Sequence, residues 1–167
     1  MIIGDGDIGQ ALKEVDRSDL IFFASGVSNS KETRTEEFDR EKQLLFDTHF
    51  ADEDKRIVYF GSLSIFYSDT PYARHKKKME DYVKMFKNYS IIRLGNISWG
   101  NNPNTIINSM KAQKARGEQL RIEDTYRYVV GKEEFLYWIK MIPDFNVEIN
   151  VPGERLTINE LVKKYVA

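Results

Sequence analysis

Three short apolar segments constrain the fold of this chain more than any other feature. They are residues 20–24, 56–60 and 90–94, each rich in large apolar side chains and each the length of one strand. A strand that helices cover on both faces is apolar along its whole length and does not alternate with polar residues. The three segments therefore predict strands of a parallel sheet.

Segments with helical spacing separate these runs. The predicted helices are 8–15, 35–50, 71–86, 105–116, 133–141 and 157–166, and the further predicted strands are 1–3 and 147–151. Pro71 suits the first turn of its helix, and Thr157 with Glu160 forms a capping-box pattern. Alternation of strands with helices predicts a three-layer α/β fold, and the length of 167 residues fits a single domain over 1–167.

Composition excludes several classes of function. The chain has no cysteine and only two histidines, His49 and His75, which argues against a metal site, thiol chemistry and a Ser-His-Asp triad. The net charge of −1 gives no general attraction to nucleic acid or to a membrane surface. Without a signal peptide or an apolar run near 18 residues, we expect a cytoplasmic protein with no membrane partner.

Residues 4–9 read Gly-Asp-Gly-Asp-Ile-Gly, which fits the pattern G-x-G-x-x-G between a strand and a helix. In that pattern the glycines allow a tight turn, a close approach of a pyrophosphate and close packing of helix on strand, while the helix N-terminus faces the phosphates. We therefore expect NAD or NADP to contact Gly4, Gly6, Asp7, Ile8 and Gly9. The alternative is a tight β-α turn that binds no ligand.

The end of the second predicted strand reads Ala24-Ser25-Gly26, and we expect these three residues to contact the cofactor as well. An acidic residue that would hold the adenosine ribose is missing at this distance from the glycine turn. Asp5 and Asp7 also add negative charge beside the expected pyrophosphate. Both observations predict weak dinucleotide binding. Asp7 has the alternative role of serving the helix N-terminus.

Tyr72 and Lys76 form a Y-x-x-x-K pattern near the start of a predicted helix. Residues four apart share a helix face, so the Lys76 ammonium can stabilise a Tyr72 phenolate, and Tyr72 can exchange a proton with a substrate hydroxyl or ketone. Ser62 follows the 56–60 strand at the carboxyl edge of the sheet, where ligands bind. These three residues are the candidate catalytic group, and the alternative is a surface Tyr-Lys pair.

Four stretches of the chain carry a family resemblance. Residues 59–67 (Tyr-Phe-Gly-Ser-Leu-Ser-Ile-Phe-Tyr) precede Tyr72 and Lys76, residues 91–100 contain Arg-Leu-Gly-Asn-Ile-Ser-Trp-Gly, Arg127 precedes Glu-Glu-Phe, and residues 150–161 contain Asn-Val-Pro-Gly and Thr-Ile-Asn-Glu-Leu. Together these stretches resemble the extended short-chain dehydrogenase/reductase family, the NAD(P)-dependent epimerases, dehydratases and reductases of nucleotide sugars.

The resemblance implies a Rossmann-like parallel sheet that is truncated at one edge. Residues 1–100 would form the nucleotide-binding core and residues 101–167 the substrate side. The family has two further strands and a helix where residues 15–19 directly join the first helix to the 20–24 strand. We therefore expect strand 1–3 to pair directly with strand 20–24, and the edge that holds adenosine to be missing.

The resemblance also implies hydride transfer on a nucleotide sugar. Tyr72 would be the acid/base, Lys76 would hold the nicotinamide ribose, Ser62 would orient the substrate, and Asn96 and Arg127 would contact it. Arg127 has the alternative of being a solvated arginine.

Two other interpretations stay open. One is a non-catalytic descendant that binds a nucleotide sugar or a protein partner. The other is an adenosine site completed by a second subunit, since the resemblance implies a homodimer formed through helices 35–50 and 71–86.

Overall fold

The computed structural model describes residues 1–167, which form eight strands and six α-helices. In chain order these are β1 (Ile2–Ile3), α1 (Asp7–Leu12), β2 (Leu20–Phe23), α2 (Thr35–Ala51), β3 (Arg56–Ser62), α3 (Pro71–Val83), β4 (Tyr89–Leu94), β5 (Asn96–Ile97), α4 (Ile106–Ala115), β6 (Tyr126–Val130), α5 (Lys132–Lys140), β7 (Val147–Val151), β8 (Glu154–Thr157) and α6 (Ile158–Tyr165). None of the helices combines the length and hydropathy that crossing a bilayer requires.

The main sheet has five parallel strands in the order β1-β2-β3-β4-β7. β1 pairs directly with β2, with Ile2 beside Phe22 and Ile3 beside Phe23. The three apolar runs of the sequence are the three inner strands, and β2 is buried along its whole length. The predicted pairing of the first two strands is therefore confirmed.

Helices cover both faces of this sheet. On one face α1 and α5 pack on the strands, with Leu12, Phe135 and Ile139 fully buried. On the other face α2 and α3 do so, with Leu45 and Met79 fully buried. The predicted three-layer α/β fold is confirmed.

A second, three-stranded sheet was not predicted from the sequence. β5 and β6 run parallel, β6 and β8 run antiparallel, and α4 and α6 pack against this sheet. β5 is only two residues long, and β6 and β8 are partly exposed, so none of them produces a continuous apolar run. This small sheet forms the second wall of the cleft described below.

The two sheets are joined by very short connections. Gly95 alone separates β4 from β5, and Pro152-Gly153 separates β7 from β8. A Cβ on Gly95 would lie 2.6 Å from the carbonyl oxygen of Pro152, so the two connections pack against each other. Gly153 has φ +71°, a backbone conformation that glycine adopts without strain.

Some helix and strand boundaries in the structure differ from the predicted ones. Helix α1 ends at Leu12, and the hydrogen bonds that follow span three residues instead of four, such as the bond from Val15 N–H to the Leu12 carbonyl at 3.1 Å. Strand β3 continues to Ser62, where a short 3-10 helix, Leu63–Phe66, begins. The capping box of Thr157 and Glu160 is present as predicted.

Arg17 stabilises the short connection that joins α1 to β2. Its guanidinium donates to the carbonyl oxygens of Ile139, Lys140 and Ile142 at 3.2–3.4 Å and pairs with Asp19 at 2.9 Å. These carbonyls belong to the end of α5 and the turn after it, where a cation is favoured. Arg17 therefore ties the short connection to the helix layer below it.

Arg17→Met should destabilise the protein because three carbonyl acceptors lose a charged donor. We expect the free energy of unfolding in urea to fall by roughly 1.5–3 kcal/mol. Lys13→Met, which removes an exposed lysine from the same connection, is the matched control and should change it by less than about 0.5 kcal/mol. Equal effects of the two substitutions would show that Arg17 has no special role.

Candidate functional site

One cleft of about 1260 Å³ lies at the carboxyl edge of the main sheet, between that sheet and the small sheet. Parallel α/β sheets bind ligands at this edge because the loops after the strands converge there. Of the residues predicted as site residues, every one except Gly9 lines the cleft: Gly4, Gly6, Asp7, Ile8, Ala24, Ser25, Gly26, Ser62, Tyr72, Lys76, Asn96 and Arg127.

The three glycines of the turn have different surroundings. Gly4 has φ +106°, and a Cβ there would lie 2.5 Å from the Ala24 carbonyl oxygen. A Cβ on Gly9 would lie 2.4 Å from the Gly4 carbonyl oxygen, so Gly9 serves helix packing and does not reach the cleft. Gly6 has no atom within 4 Å of such a Cβ, which leaves its backbone open to the cleft. The turn thus fits the close approach of a phosphate group at Gly6.

Asp7 ties the glycine turn to the loop after β5. Its carboxylate accepts the backbone N–H groups of Asn101 and Asn102 at 3.0 and 2.9 Å, and the Trp99 indole donates to its carbonyl oxygen at 3.2 Å. Its carboxylate makes no cap to its own helix, whose N-cap is Gly6. Asp7 therefore lines the cleft with a carboxylate that is already hydrogen-bonded.

Ser62 and Tyr72 enter the cleft from neighbouring elements. Ser62 ends β3, and its hydroxyl lies 2.8 Å from that of Ser64 and accepts the Ser64 N–H. Tyr72 is half-buried in the first turn of α3, which Thr70 caps by accepting the Ala73 N–H at 3.1 Å. Both hydroxyl-bearing side chains thus stand at the cleft on regular elements of the fold.

Lys76 is buried, whereas Lys77 and Lys78 beside it are exposed. Its Nζ donates to Glu41 Oε1 at 3.1 Å and to the Tyr59 hydroxyl at 3.3 Å. The same Nζ lies 5.8 Å from the centre of the Tyr72 ring. Lys76 therefore occupies the predicted place beside the tyrosine, but its charge is already paired.

The carboxylate of Glu41 is the centre of this polar cluster. It is fully buried and also accepts from the Tyr59 hydroxyl at 2.7 Å, from Val27 N–H at 2.8 Å and lies 2.8 Å from His75 Nε2. Burial alone would raise the pKa of Glu41, but the Lys76 ammonium and these hydrogen bonds hold that pKa well below its usual range. Glu41 is thus an anion within the protein interior.

Sequence reasoning missed Glu41 and Tyr59. A signal for Glu41 was present, because it stands between Phe38 and Leu45 at helical spacing, on the face of α2 that packs on the sheet. A carboxylate at a core position requires a buried partner. Tyr59 gave no signal, since a tyrosine within an apolar strand fits a core position equally well.

The two substrate candidates are held by contacts within the small sheet and with the segment before β6. Asn96 Nδ2 donates to the Tyr128 carbonyl at 3.0 Å, which joins β5 to β6. The guanidinium of Arg127 donates to Thr125 Oγ1 at 2.7 Å and lies 3.7 Å from Glu123. Arg127 keeps part of its side chain at the cleft, so an anion could still reach it.

The cofactor side of the cleft ends at β1, the outer strand of the main sheet. The residues after β2, Ala24 to Gly26, include no acid. The open backbone at Gly6 leaves room for a phosphate group, whereas the residues after β2 offer no acidic counterpart for an adenosine ribose. No cluster of three or more His, Cys, Asp or Glu side chains is arranged to hold a metal ion.

Comparison with known proteins gave structural matches only, since neither a family model nor a curated protein matches the sequence. The Bordetella bronchiseptica enzyme WbmG, solved with NAD and UDP, has a TM-score of 0.68 at 15% identity over 96% of this chain and 61% of its own. UDP-N-acetylglucosamine 4-epimerase from Methanobrevibacter ruminantium has a TM-score of 0.68 at 19% identity, over 95% of this chain and 62% of its own. The dTDP-glucose 4,6-dehydratase from Bacillus anthracis, solved with NAD, has a TM-score of 0.67 at 15% identity, over 95% of this chain and 59% of its own.

The fold is that of the NAD-dependent epimerases and dehydratases. This confirms, at the level of the fold, the resemblance seen in the sequence. The chain spans between 59% and 62% of the length of these three structures.

Alanine substitutions at Gly9 and Gly6 test the different surroundings of these two glycines. Gly9→Ala should lower the free energy of unfolding by roughly 1–3 kcal/mol, because its Cβ meets backbone that cannot move aside. Gly6→Ala should change it by no more than about 1 kcal/mol, because its backbone is compatible with alanine and the space is open. Urea denaturation of both variants measures the difference, and equal losses would contradict the assignment of packing to Gly9 and openness to Gly6.

Proposed function

We propose that the protein is an NAD(P)-dependent enzyme that acts on a nucleotide sugar, as an epimerase, dehydratase or reductase. The observation that carries the proposal is the convergence of three separate motifs on one cleft: the glycine turn, the Ser62-Tyr72-Lys76 group and the Asn96-Arg127 wall. The fold supports it, since the structures it resembles include a UDP-sugar epimerase and a dTDP-sugar dehydratase.

The proposed acid/base is Tyr72, which lies half-buried at the cleft with the Lys76 ammonium 5.8 Å from its ring. As a phenolate it would take a proton from a sugar hydroxyl, and as a phenol it would return one to a sugar ketone. Ser62, at the end of β3, would donate a hydrogen bond to the same sugar oxygen and orient it. Arg127 would face the diphosphate of the substrate from the opposite wall.

A nicotinamide bound beside Tyr72 would supply the hydride acceptor or donor for this reaction. The residues that would hold the cofactor are Gly4, Gly6, Asp7 and Ile8 of the turn, and Ala24, Ser25 and Gly26 after β2. Open backbone at Gly6 supports a phosphate there. Lys76 would donate to the nicotinamide ribose.

Tyr72→Phe should abolish turnover, because it removes only the hydroxyl that transfers the proton, a step worth roughly 10²–10⁴-fold. The assay follows nicotinamide absorbance and sugar conversion with a panel of UDP- and dTDP-sugars. Tyr82→Phe, the same change on the same helix away from the cleft, is the control and should keep wild-type activity. Undiminished turnover in Tyr72→Phe would remove Tyr72 from this role.

A second candidate function is a non-catalytic module that binds a nucleotide sugar or a protein partner. The observation that favours it is the state of Lys76, whose ammonium is already paired with the buried Glu41 carboxylate. The absence of a ribose acid after β2 points the same way. Binding without turnover of any sugar in the panel would support this second function.

Dinucleotide binding should be weak, because the charge-assisted hydrogen bond of a ribose acid is missing and Asp5 adds negative charge near the phosphates. The lost bond costs about 1.5–3 kcal/mol, so binding weakens by roughly tenfold to a hundredfold, to about the high-micromolar range or above. Calorimetric titration with NAD(H) and NADP(H) measures it. Asp5→Asn should tighten binding slightly, and it is a cleaner probe than Asp7→Asn because Asp7 also holds the loop after β5.

The titration also separates the interpretations. Micromolar or tighter binding by a monomer would contradict the expected weakness and indicate an ordinary dinucleotide site. Binding that appears only in a dimer would indicate a site completed by the second subunit. No binding at millimolar cofactor would contradict the proposed enzyme and favour the non-catalytic module.

A further inference from the structure

The buried charge pair beside the cleft has a geometry that restricts what Lys76 can do. A lysine ammonium has three N–H donors. Two of them are taken by Glu41 Oε1 and by the Tyr59 hydroxyl, at 3.1 and 3.3 Å. Lys76 nevertheless lines the cleft. One N–H is therefore left for a ligand, in a direction that the other two bonds determine.

We propose that Glu41 is a positioning residue, which fixes the Lys76 ammonium so that it presents a single oriented N–H to a ligand in the cleft. The ligand class is a nicotinamide ribose, or another group with a hydroxyl acceptor, so the inference rests on the proposed function. Lys76 then acts as a directed hydrogen-bond donor whose positive charge is largely compensated. The Tyr59 hydroxyl accepts a second N–H of Lys76 and so restricts the direction of the third.

Glu41 itself cannot turn, because its acceptor positions are filled. A carboxylate offers about four lone-pair sites. Four donors approach it: Val27 N–H, the Tyr59 hydroxyl, His75 Nε2 and Lys76 Nζ. They come from the loop after β2, from β3 and from α3, so three parts of the fold hold one side chain. A carboxylate bound in this way is a rigid reference point for the lysine.

Gly26 lines the cleft directly beside the Glu41–Lys76 ion pair. A Cβ on Gly26 would lie 2.6 Å from Lys76 Nζ and 2.9 Å from Glu41 Oε1. The glycine backbone therefore packs directly on the ion pair, at the end of β2 where cofactor contacts are expected. A group that reaches Gly26 from the cleft is within reach of the free N–H of Lys76.

The charge state of Lys76 depends on its neighbours. Burial is the largest single effect and lowers the pKa of Lys76, but the charge and hydrogen bond of Glu41, together with Tyr72 and Glu80, raise that pKa above its ordinary value. The other titratable groups that face the ammonium are Tyr59 from β3 and Tyr72, His75 and Glu80 from α3. Without Glu41 the desolvated amine would lose its main counter-charge, and its proton would leave at lower pH.

The first test is an NMR titration of the lysine side chains, with Lys76 assigned by the loss of its signal in Lys76→Arg. Wild type should keep Lys76 charged over the whole pH range in which the protein is folded. Glu41→Gln, which preserves shape and removes the charge, should move the Lys76 titration to lower pH. Glu80→Gln, which removes the buried carboxylate that pairs with Arg93, is the matched control and should move it much less. An unchanged Lys76 titration in Glu41→Gln would overturn the proposal.

The second test is binding of NAD(H) and NADP(H) by the same variants. Glu41→Gln should weaken binding by roughly tenfold or more, the loss of one charge-assisted hydrogen bond, and Glu41→Asp should restore part of it. If wild type binds the cofactor and Glu41→Gln binds it equally well, the positioning role of Glu41 is overturned. If wild type binds no cofactor, the proposed function fails, and the NMR titration still decides whether Glu41 holds Lys76.

Gly26→Ala approaches the same pair from the opposite side and serves where Glu41→Gln does not fold. Its Cβ presses on Lys76 Nζ, the end of a flexible side chain, and leaves the charge of Glu41 in place. We expect a displaced Lys76 signal and weaker binding, with the Lys76 titration still at high pH. An unmoved signal in a folded Gly26→Ala would contradict the packing on which the proposal depends.

Discussion

Direct pairing of β1 with β2 is the constraint on which the ligand side of this protein depends. β1 is only two residues long and has one neighbouring strand, yet it carries the glycine turn. The register of Ile3 beside Phe23 places Gly4 against Ala24, so closely that no side chain fits at Gly4. The turn and the end of β2 are thereby locked together, and the cleft begins at this junction. Arg17 holds the short connection that makes the pairing possible.

Buried charge in this protein is paired and hydrogen-bonded. The carboxylate of Glu41 is buried between α2, α3 and β3, and its surroundings supply four donors to it. A buried ion is tolerated only when it is paired and hydrogen-bonded, since the alternative costs several kcal/mol. The lysine of the Y-x-x-x-K pattern meets this requirement of the fold, and the same contacts determine how it faces a ligand. Under the proposed function, the structural and functional demands on Lys76 therefore coincide.

The sequence predicted the main sheet because its inner strands are apolar runs of strand length that alternate with segments of helical spacing. It predicted the place of Ser62, Tyr72 and Lys76 because parallel strands end at one edge and helical spacing puts residues four apart on one face. It could not predict the small sheet, whose strands are short and half exposed. It also could not reveal that Lys76 is paired, because the partner, Glu41, is 35 residues away and the contact depends on how α2 and α3 pack on β3.

The two connections that cross at Gly95 and Pro152 determine how the cleft can open. One residue joins β4 to β5 and two join β7 to β8, and the connections pack on each other. Connections of one and two residues restrict how far the small sheet can be displaced from the main sheet. The width of the cleft between the two sheets is restricted in the same way. Exclusion of water from the cleft must then come from loops and side chains at its rim, such as the polar segment between β2 and α2.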